Sequence, residues 1–217
     1  MDLPDLLPLF PLPGHVLLPG LAVPFRIFEP RYRALVRDLL AVRAERRWLA
    51  VPCLAPGADP AAAAPPFLPL AAAALLREAR GLDGHGHPGE FLILVEGLVR
   101  CRLREEPDPT TPYRWARPHV LPDQPVTGDL AAALSGLVDQ VARLGRRLGA
   151  GADQLMGLLE ARDERFADRL GALLIADPAE RQDFLACLDP LARAARVASV
   201  LAALERRTRG GREPSAN

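Results

Sequence analysis

Hydrophobic positions along the chain follow two different periods on either side of Pro125–Asp129. Before this point, prolines separate short apolar runs, which suits strands and turns because proline can neither donate to a sheet ladder nor sit inside a helix. After it, proline becomes rare and apolar residues recur with helical spacing. The predicted fold class is therefore α+β, with a β-rich subdomain over residues 1–123, a helical bundle over 124–208 and a disordered tail over 209–217.

Several runs in the first half have the length and alternation of strands. They are Leu7–Phe10, Val23–Phe28, Arg47–Cys53, Phe91–Glu96, Val99–Arg104 and Tyr113–Val120. Gly97–Leu98 predicts a hairpin-like turn between two of them, and Arg100, Arg102 and Arg104 alternate with apolar residues, which predicts one buried and one solvated, basic face. Leu70–Arg80 has helical composition but lies between prolines and a Gly-rich turn, so we predict a further strand there.

Helix starts are marked by a proline at the first helical position. Pro30 precedes an apolar stripe and predicts a helix within the first half. In the second half, Leu130–Leu148 keeps a continuous apolar face. Further helices are predicted at Asp153–Glu160, from Glu164 to Ala176, and after the N-cap signals Asp177-Pro178 and Asp189-Pro190.

Charge and residue usage exclude several classes of protein. The chain has 27 basic and 27 acidic residues, and a neutral chain is not expected to bind nucleic acid. It contains no lysine, which excludes a phosphate-loop lysine, a Schiff base and a Ser–Lys dyad within these residues. We therefore expect no enzymatic activity and assign no catalytic residue.

The remaining candidate chemistry is sparse. His85-Gly86-His87 lacks an evident third ligand, so we expect neither a metal site nor a cofactor. Cys53, Cys101 and Cys187 are odd in number and far apart, which is typical of core residues in a reducing cytoplasm. No signal peptide and no apolar run of about 18 residues is present, so a cytoplasmic protein without a membrane partner is expected.

Three groups of motifs occur in a recognisable order. Leu7–Val36 contains Pro-Leu-Phe-Pro, the turn Leu17-Leu18-Pro19-Gly20 and the segment Arg26–Tyr32, which leads into a helix. Phe91–Gly97 ends in Val-Glu-Gly and is followed by Arg100. Ala167–Leu191 carries the two Asp-Pro helix starts. Over roughly residues 5–205, the chain resembles the N-terminal domain of Lon-type proteases.

This resemblance implies a β-rich pseudo-barrel (PUA-like) subdomain with one or two helices, followed by a helical bundle. It also supports a strand at Leu70–Arg80 and implies a non-catalytic module that recognises unfolded or exposed hydrophobic polypeptide segments. The ATPase and peptidase of full Lon proteases are not expected within 217 residues. RNA binding by the pseudo-barrel and a peptidase activity are alternatives. An ATP-dependent protease as a partner and homo-oligomerisation are left open.

The resemblance also supplies candidate site residues. Those expected to bind a polypeptide are Arg26, Phe28, Arg31 and Tyr32. The alternative is that this junction is structural, with Glu29 near the positive end of the helix dipole and paired with Arg26 or Arg100. Structural roles in the motif are assigned to Pro19, Gly20, Glu29, Glu96, Gly97 and Arg100.

The arginines of Val99–Arg104, together with Arg114 and Arg117, are a second candidate surface. They could hold an acidic peptide or RNA. A solvated face balanced by acids such as Glu105 and Glu106 is the alternative.

Overall fold

A computed structural model of the protein describes residues 3–107, 110–148, 153–160 and 163–210. The chain divides into two compact units, Met1–Pro122 and Asp123–Asn217, and each is described by itself. The elements are β1 (Leu7–Pro8), β2 (Ala22–Ile27), α1 (Pro30–Leu40), β3 (Trp48–Val51), β4 (Leu70–Gly81), β5 (Phe91–Glu106), β6 (Trp115–Val120), α2 (Leu130–Leu148), α3 (Asp153–Gly157), α4 (Phe166–Leu174), α5 (Pro178–Ala186) and α6 (Pro190–Gly210).

Five strands of the first unit close into a ring, which gives the predicted pseudo-barrel. The sheet order is β1-β6-β5-β4-β3, with antiparallel neighbours throughout. The residues just after β1 lie beside β3, at the other end of this strand order. There Leu9 and Leu12 form parallel bridges with Ala50 and Cys53. Closure removes the unpaired edges that an open sheet of these strands would leave. β2 lies off this path and pairs with β5.

Both faces of the sheet are buried, which explains the long apolar runs in its strands. One core includes Leu7, Leu9, Trp48, Ala50, Ala71, Ala73, Leu98, Cys101 and Leu103. The other packs α1 against the opposite face and includes Tyr32, Leu35, Val36, Leu39, Leu49, Ala72, Ala74, Leu76, Ile93 and Val95. Successive alanines of β4 therefore point into different cores. Burial on both faces overrides the helical propensity of that segment, and the predicted strand is confirmed.

The hairpin predicted at Gly97–Leu98 is wrong, because Phe91–Glu106 is one continuous strand. Its pairing with β4 shifts at this point: Ala74 lies opposite Gly97 and Ala73 opposite Val99, which leaves Leu98 as an extra residue. Such a bulge bends a strand and moves later side chains to the other face. The odd-numbered apolar residues therefore face one core before the bulge, with Ile93 and Val95, and the other core after it, with Cys101 and Leu103, so one strand looks in the sequence like two.

The prediction that Arg100, Arg102 and Arg104 form one fully solvated face is also wrong. Arg100 is only 5% exposed, whereas Arg102 and Arg104 are exposed. Arg100 lies directly opposite Ala72, a buried residue of the α1-covered core. Because the alanine side chain is small, it leaves space on this face for the side chain of Arg100. The solvated arginines of the strand therefore begin at Arg102.

The second unit contains helices α2 to α6, and the helix starts predicted at the two Asp-Pro signals are confirmed, whereas the helix predicted from Glu164 to Ala176 spans Phe166–Leu174. Asp177 accepts a hydrogen bond from the backbone N–H of Glu180 at 2.9 Å and caps α5, whose first residue is Pro178. α6 begins at Pro190 and packs against α2. It continues to Gly210, two residues into the predicted tail 209–217, and the rest of that tail lies outside the described residues.

A buried arginine joins three parts of the second unit. Arg193 of α6 is 2% exposed and forms a bidentate pair with Asp123, at 2.8 and 2.7 Å. Its Nε lies 3.2 Å from the carboxylate of Asp168, which is also buried. The same guanidinium donates to the carbonyl oxygen of Cys187 at 2.9 Å. Since buried charges are stable only when paired, this cluster fixes the start of the unit against α4 and α6.

Candidate polypeptide-binding surface

β2, the end of β4 and the start of β5 extend the sheet beyond the ring. In this extension Leu92 of β5 lies directly opposite Arg26 of β2 and Arg80 of β4. Directly opposed residues share a face of the sheet, so an apolar side chain lies between two arginines. One step along, Leu94 is flanked by Pro24 and Glu78. We call the following residues the extension surface: Pro24, Arg26, Phe28, Glu78, Arg80, Leu92 and Leu94.

The extension surface exposes apolar side chains that lie outside the core. Phe28 follows Arg26 by two residues, the spacing that keeps side chains on one side of an extended chain, and is 60% exposed. Leu92 is 39% exposed, and a depression of about 360 Å³ includes Leu92 and Leu94 in its lining. On the opposite face, Ile93 and Val95 are buried. α1 therefore covers only one face of this part of the sheet.

Arg26 and Arg80 differ in their surroundings. Arg26 donates from Nε to Glu90 at 2.7 Å, and its NH2 group lies 3.0 Å from Nδ1 of His87. The hydrogen bond from Arg26 lowers the pKa of the Glu90 carboxyl. The side chain of Arg80 is exposed and forms no hydrogen bond or ion pair within the described parts of the chain. The guanidinium of Arg80 is therefore available to a ligand, and that of Arg26 is held in place.

Arg31 and Tyr32, also predicted to bind a polypeptide, lie inside the fold. Tyr32 is 5% exposed and stacks edge to face on Phe10, with ring centroids 4.9 Å apart; burial raises the pKa of its hydroxyl. Arg31 donates to Glu29 at 2.9 Å and to the carbonyl oxygens of Pro60 and Ala62 at 3.0 and 3.2 Å. The structure thus brings together Arg26 and Phe28 on the surface, and assigns Arg31 and Tyr32 contacts within the protein.

Glu29 marks the strand-to-helix junction without capping α1 through its side chain. It is the N-cap residue in extended conformation, and its backbone carbonyl accepts from the N–H of Arg33 at 2.9 Å. Its carboxylate pairs with an arginine, as expected, but the partner is Arg31, at 2.8 Å, and not Arg26 or Arg100. Arg26 extends instead to Glu90, because the side chains of β2 and of the turn before β5 meet on the exposed face.

The Pro19-Gly20 turn packs on the bulge of β5. Gly20 has φ of 88°, a conformation that glycine adopts without strain, and its N–H donates to the carbonyl of Gly97 at 2.8 Å. A Cβ on Gly97 would lie 2.5 Å from the carbonyl oxygen of Leu18. Glu96, the neighbour of Gly97, pairs with Arg77 across the strands. These motif residues hold the start of β2 against β5 and so position the extension surface.

Other candidate chemistry does not assemble into a site within the described residues. His87 contacts Arg26 and Glu90, and no group of three or more His, Cys, Asp or Glu residues in those ranges could hold a metal ion. Over the same ranges, none of the helices has the length and apolar character required to cross a bilayer. The second unit has its own groove of about 700 Å³ between α2 and the start of α4, lined by Leu134, Val138 and Asp163 to Phe166, among others.

Comparison with known proteins decides the family. The family model of the ATP-dependent protease La (LON) substrate-binding domain matches residues 6–203, which span both units. The chain belongs to this family.

Two solved structures show the same fold as this LON substrate-binding domain. The N-terminal domain of a Mycobacterium avium complex Lon protease has a TM-score of 0.67 at 16% identity, over 91% of this chain and 98% of that one. A Lon N-terminal domain protein from Xanthomonas campestris has a TM-score of 0.58 at 22% identity, over 89% and 97%. No curated protein matches the chain in sequence.

Sequence reasoning missed five members of the extension surface of this LON substrate-binding domain, namely Pro24, Glu78, Arg80, Leu92 and Leu94. The run Phe91–Val95 is apolar at every position, which predicts burial on both faces. Only the placement of α1 on one face leaves the other exposed. Arg26 is the signal in the sequence that could have predicted this exposed face. A charged side chain within a strand indicates that its face is solvated, and the residues paired with it on the neighbouring strand share that face.

The contacts of Arg31 give a test of its structural role. We expect Arg31→Lys to lower the free energy of unfolding by about 1–2 kcal/mol, because an ammonium cannot reach a carboxylate and several carbonyls in one fork. Affinity for an unfolded polypeptide should stay within a factor of two. Thermal unfolding and a binding titration on the same preparation check both, and loss of binding with unchanged stability would place Arg31 in the binding surface.

Proposed function

We propose that this LON substrate-binding domain is a non-catalytic module that binds unfolded or exposed hydrophobic polypeptide segments through the extension surface. The observation that carries the proposal is the exposure of Phe28 and Leu92, with Arg26 and Arg80 on either side of Leu92. Membership of a substrate-binding family supports a role in recognition rather than in catalysis.

The chemistry of the surface suits a ligand without a defined sequence. Alternate side chains of an extended segment point to one side and can contact Phe28, Leu92 and Leu94. The aliphatic stems of Arg26 and Arg80 widen the apolar area, while the guanidinium group of Arg80 can donate to backbone carbonyls, which every polypeptide has. A folded protein has already used both its apolar side chains and its backbone groups internally.

Affinity from this surface alone should be modest. Covering the exposed part of each apolar side chain contributes on the order of 1 kcal/mol, before the entropy of ordering the bound segment is subtracted. Modest, sequence-tolerant binding fits a module that delivers many substrates to a second component. The family name supports an ATP-dependent protease as that component. We propose the cytoplasm as the compartment of both. No cofactor is required.

The proposal is tested by Phe28→Ala in a titration with a labelled, permanently unfolded protein and its folded form. We expect the variant to bind the unfolded protein about three- to tenfold more weakly, since a 60% exposed aromatic anchor is lost. Its melting temperature should not change, because Phe28 contributes little to the core. Val42→Ala is the matched control, since Val42 is 42% exposed and lies outside the extension surface.

Two outcomes would contradict the proposal. One is equal affinity of the wild-type protein for the folded and unfolded forms. The other is an equal effect of Phe28→Ala and Val42→Ala. Binding that persists at high salt supports the proposal, because burial of apolar surface does not require counterion release.

A further inference from the structure

β5 and β6 carry a second exposed surface, which the proposed function does not use. Arg104 lies directly opposite Arg117, and Arg102 lies directly opposite His119. All four side chains are exposed. We call these four residues the basic face. It belongs to the outer side of the ring, one register step beyond the buried Arg100.

The basic face concentrates positive charge in a chain whose net charge is +0. Like charges directly opposite each other on neighbouring strands destabilise a sheet, so the Arg104–Arg117 pair has a folding cost. Glu106 offsets part of that cost. Its Oε1 atom lies 2.8 Å from NH2 of Arg104 and 3.5 Å from Nε of Arg117. The hydrogen bond from Arg104 lowers the pKa of the Glu106 carboxyl.

Two residues along the strands, a second pair of basic side chains lies opposite each other, but no carboxylate equivalent to Glu106 lies between them in the described part of the chain. Arg102 and His119 occupy the position equivalent to Arg104 and Arg117, about 7 Å away for a two-residue step along a strand. Within residues 3–107, 110–148, 153–160 and 163–210, the side chains of Arg102 and His119 form no hydrogen bond and no ion pair. The contacts of Glu106 show how a carboxylate is held between two such strands.

We propose that the basic face binds an acidic segment of a partner polypeptide, with one carboxylate of the partner between Arg102 and His119. An extended segment with acidic residues at every second position places its carboxylates about 7 Å apart, which matches the spacing of Arg102 and Arg104. The bond formed is a charge-assisted hydrogen bond, as Glu106 already makes with Arg104.

A polypeptide fits this face better than a nucleic acid does. Binding of single strands usually adds base stacking on exposed aromatic rings. Trp115, the aromatic residue of β6, packs against the α1-covered core, and its Nε1 donates to Thr111 at 2.8 Å. The three arginines of the basic face can neutralise only a few phosphates of a nucleic acid. The same face already holds one carboxylate, that of Glu106.

The test uses the whole chain and a labelled peptide with Glu at every second position, beside a peptide with Gln at the same positions. We expect the Glu peptide to bind at low salt, and Arg102→Glu to weaken its binding at least about fivefold. Arg37→Glu is the matched control. Arg37 is exposed on α1, so this variant has the same net charge and should change affinity less than twofold.

Three results would overturn the inference: equal binding of the Gln peptide, equal effects of Arg102→Glu and Arg37→Glu, or tighter binding of a single-stranded RNA of the same charge. Phe28→Ala separates this inference from the proposed function. That variant should bind the Glu peptide as the wild-type protein does, and its behaviour toward an unfolded protein is measured independently.

Discussion

Replacing Gly97 by alanine is expected to lower the free energy of unfolding by about 2–4 kcal/mol. The added Cβ would lie 2.5 Å from the carbonyl oxygen of Leu18 and 3.1 Å from Cγ of Leu17. The oxygen belongs to the backbone just before the Pro19-Gly20 turn. In this turn the N–H of Gly20 donates to the carbonyl of Gly97. Relief therefore requires the turn to move away from β5 and to break this bond. Denaturant unfolding measures the loss.

A second glycine provides the control for this prediction. Gly136 lies in α2, and a Cβ built on it meets nothing within 4 Å. Gly136→Ala should stabilise the protein by roughly 0.5–1 kcal/mol through helix propensity. If Gly97→Ala is as harmless as Gly136→Ala, the close packing of the Pro19-Gly20 turn on the bulge is not needed for stability.

Replacing Arg193 by methionine should lower the free energy of unfolding by about 3–5 kcal/mol, the range for removing one partner of a buried ion pair. Methionine fills much of the space but removes the guanidinium that lies 3.2 Å from the buried carboxylate of Asp168. Asp123 is less affected, because its side chain is 44% exposed and water can replace the guanidinium. Thermal and denaturant unfolding of the variant and the wild type give the difference.

The cause of this loss can be separated from lost packing. Arg193→Met combined with Asp168→Asn should be more stable than Arg193→Met alone by about 1–3 kcal/mol, because the buried charge that faced the guanidinium is gone as well. Arg206→Met on the exposed side of α6 is the control and should change stability by less than about 0.5 kcal/mol. No recovery in the double variant would assign the loss to packing instead of charge.

The architecture was largely predictable because local signals agreed with the tertiary outcome. Asp177-Pro178 and Asp189-Pro190 start α5 and α6 as expected, and the strands of the first unit follow their apolar runs. The order of the Lon-like motifs then indicated both subdomains. The break at Gly97 was the main error, since a residue that permits a turn also permits a bulge and a close backbone approach.

The candidate site was only half predictable. Arg26 and Phe28 remain on the surface, whereas Tyr32 is in the core and Arg31 binds the loop of residues 60–63. A motif contiguous in sequence alternates between the inside and the outside of the protein at a strand-to-helix junction. Its spacing cannot tell which of its members remain accessible.

The sequence by itself determined the helix starts, the β-rich and helical halves, the absence of lysine chemistry and the family resemblance, because each depends on residue type and near neighbours along the chain. The tertiary structure decided which face of β5 is wet, where Arg100 is buried, and that Arg80 and Leu92 lie beside Arg26. Those facts depend on strand register and on where α1 packs. Register pairs residues distant in sequence, and a single extra residue in a bulge exchanges the two faces of a strand.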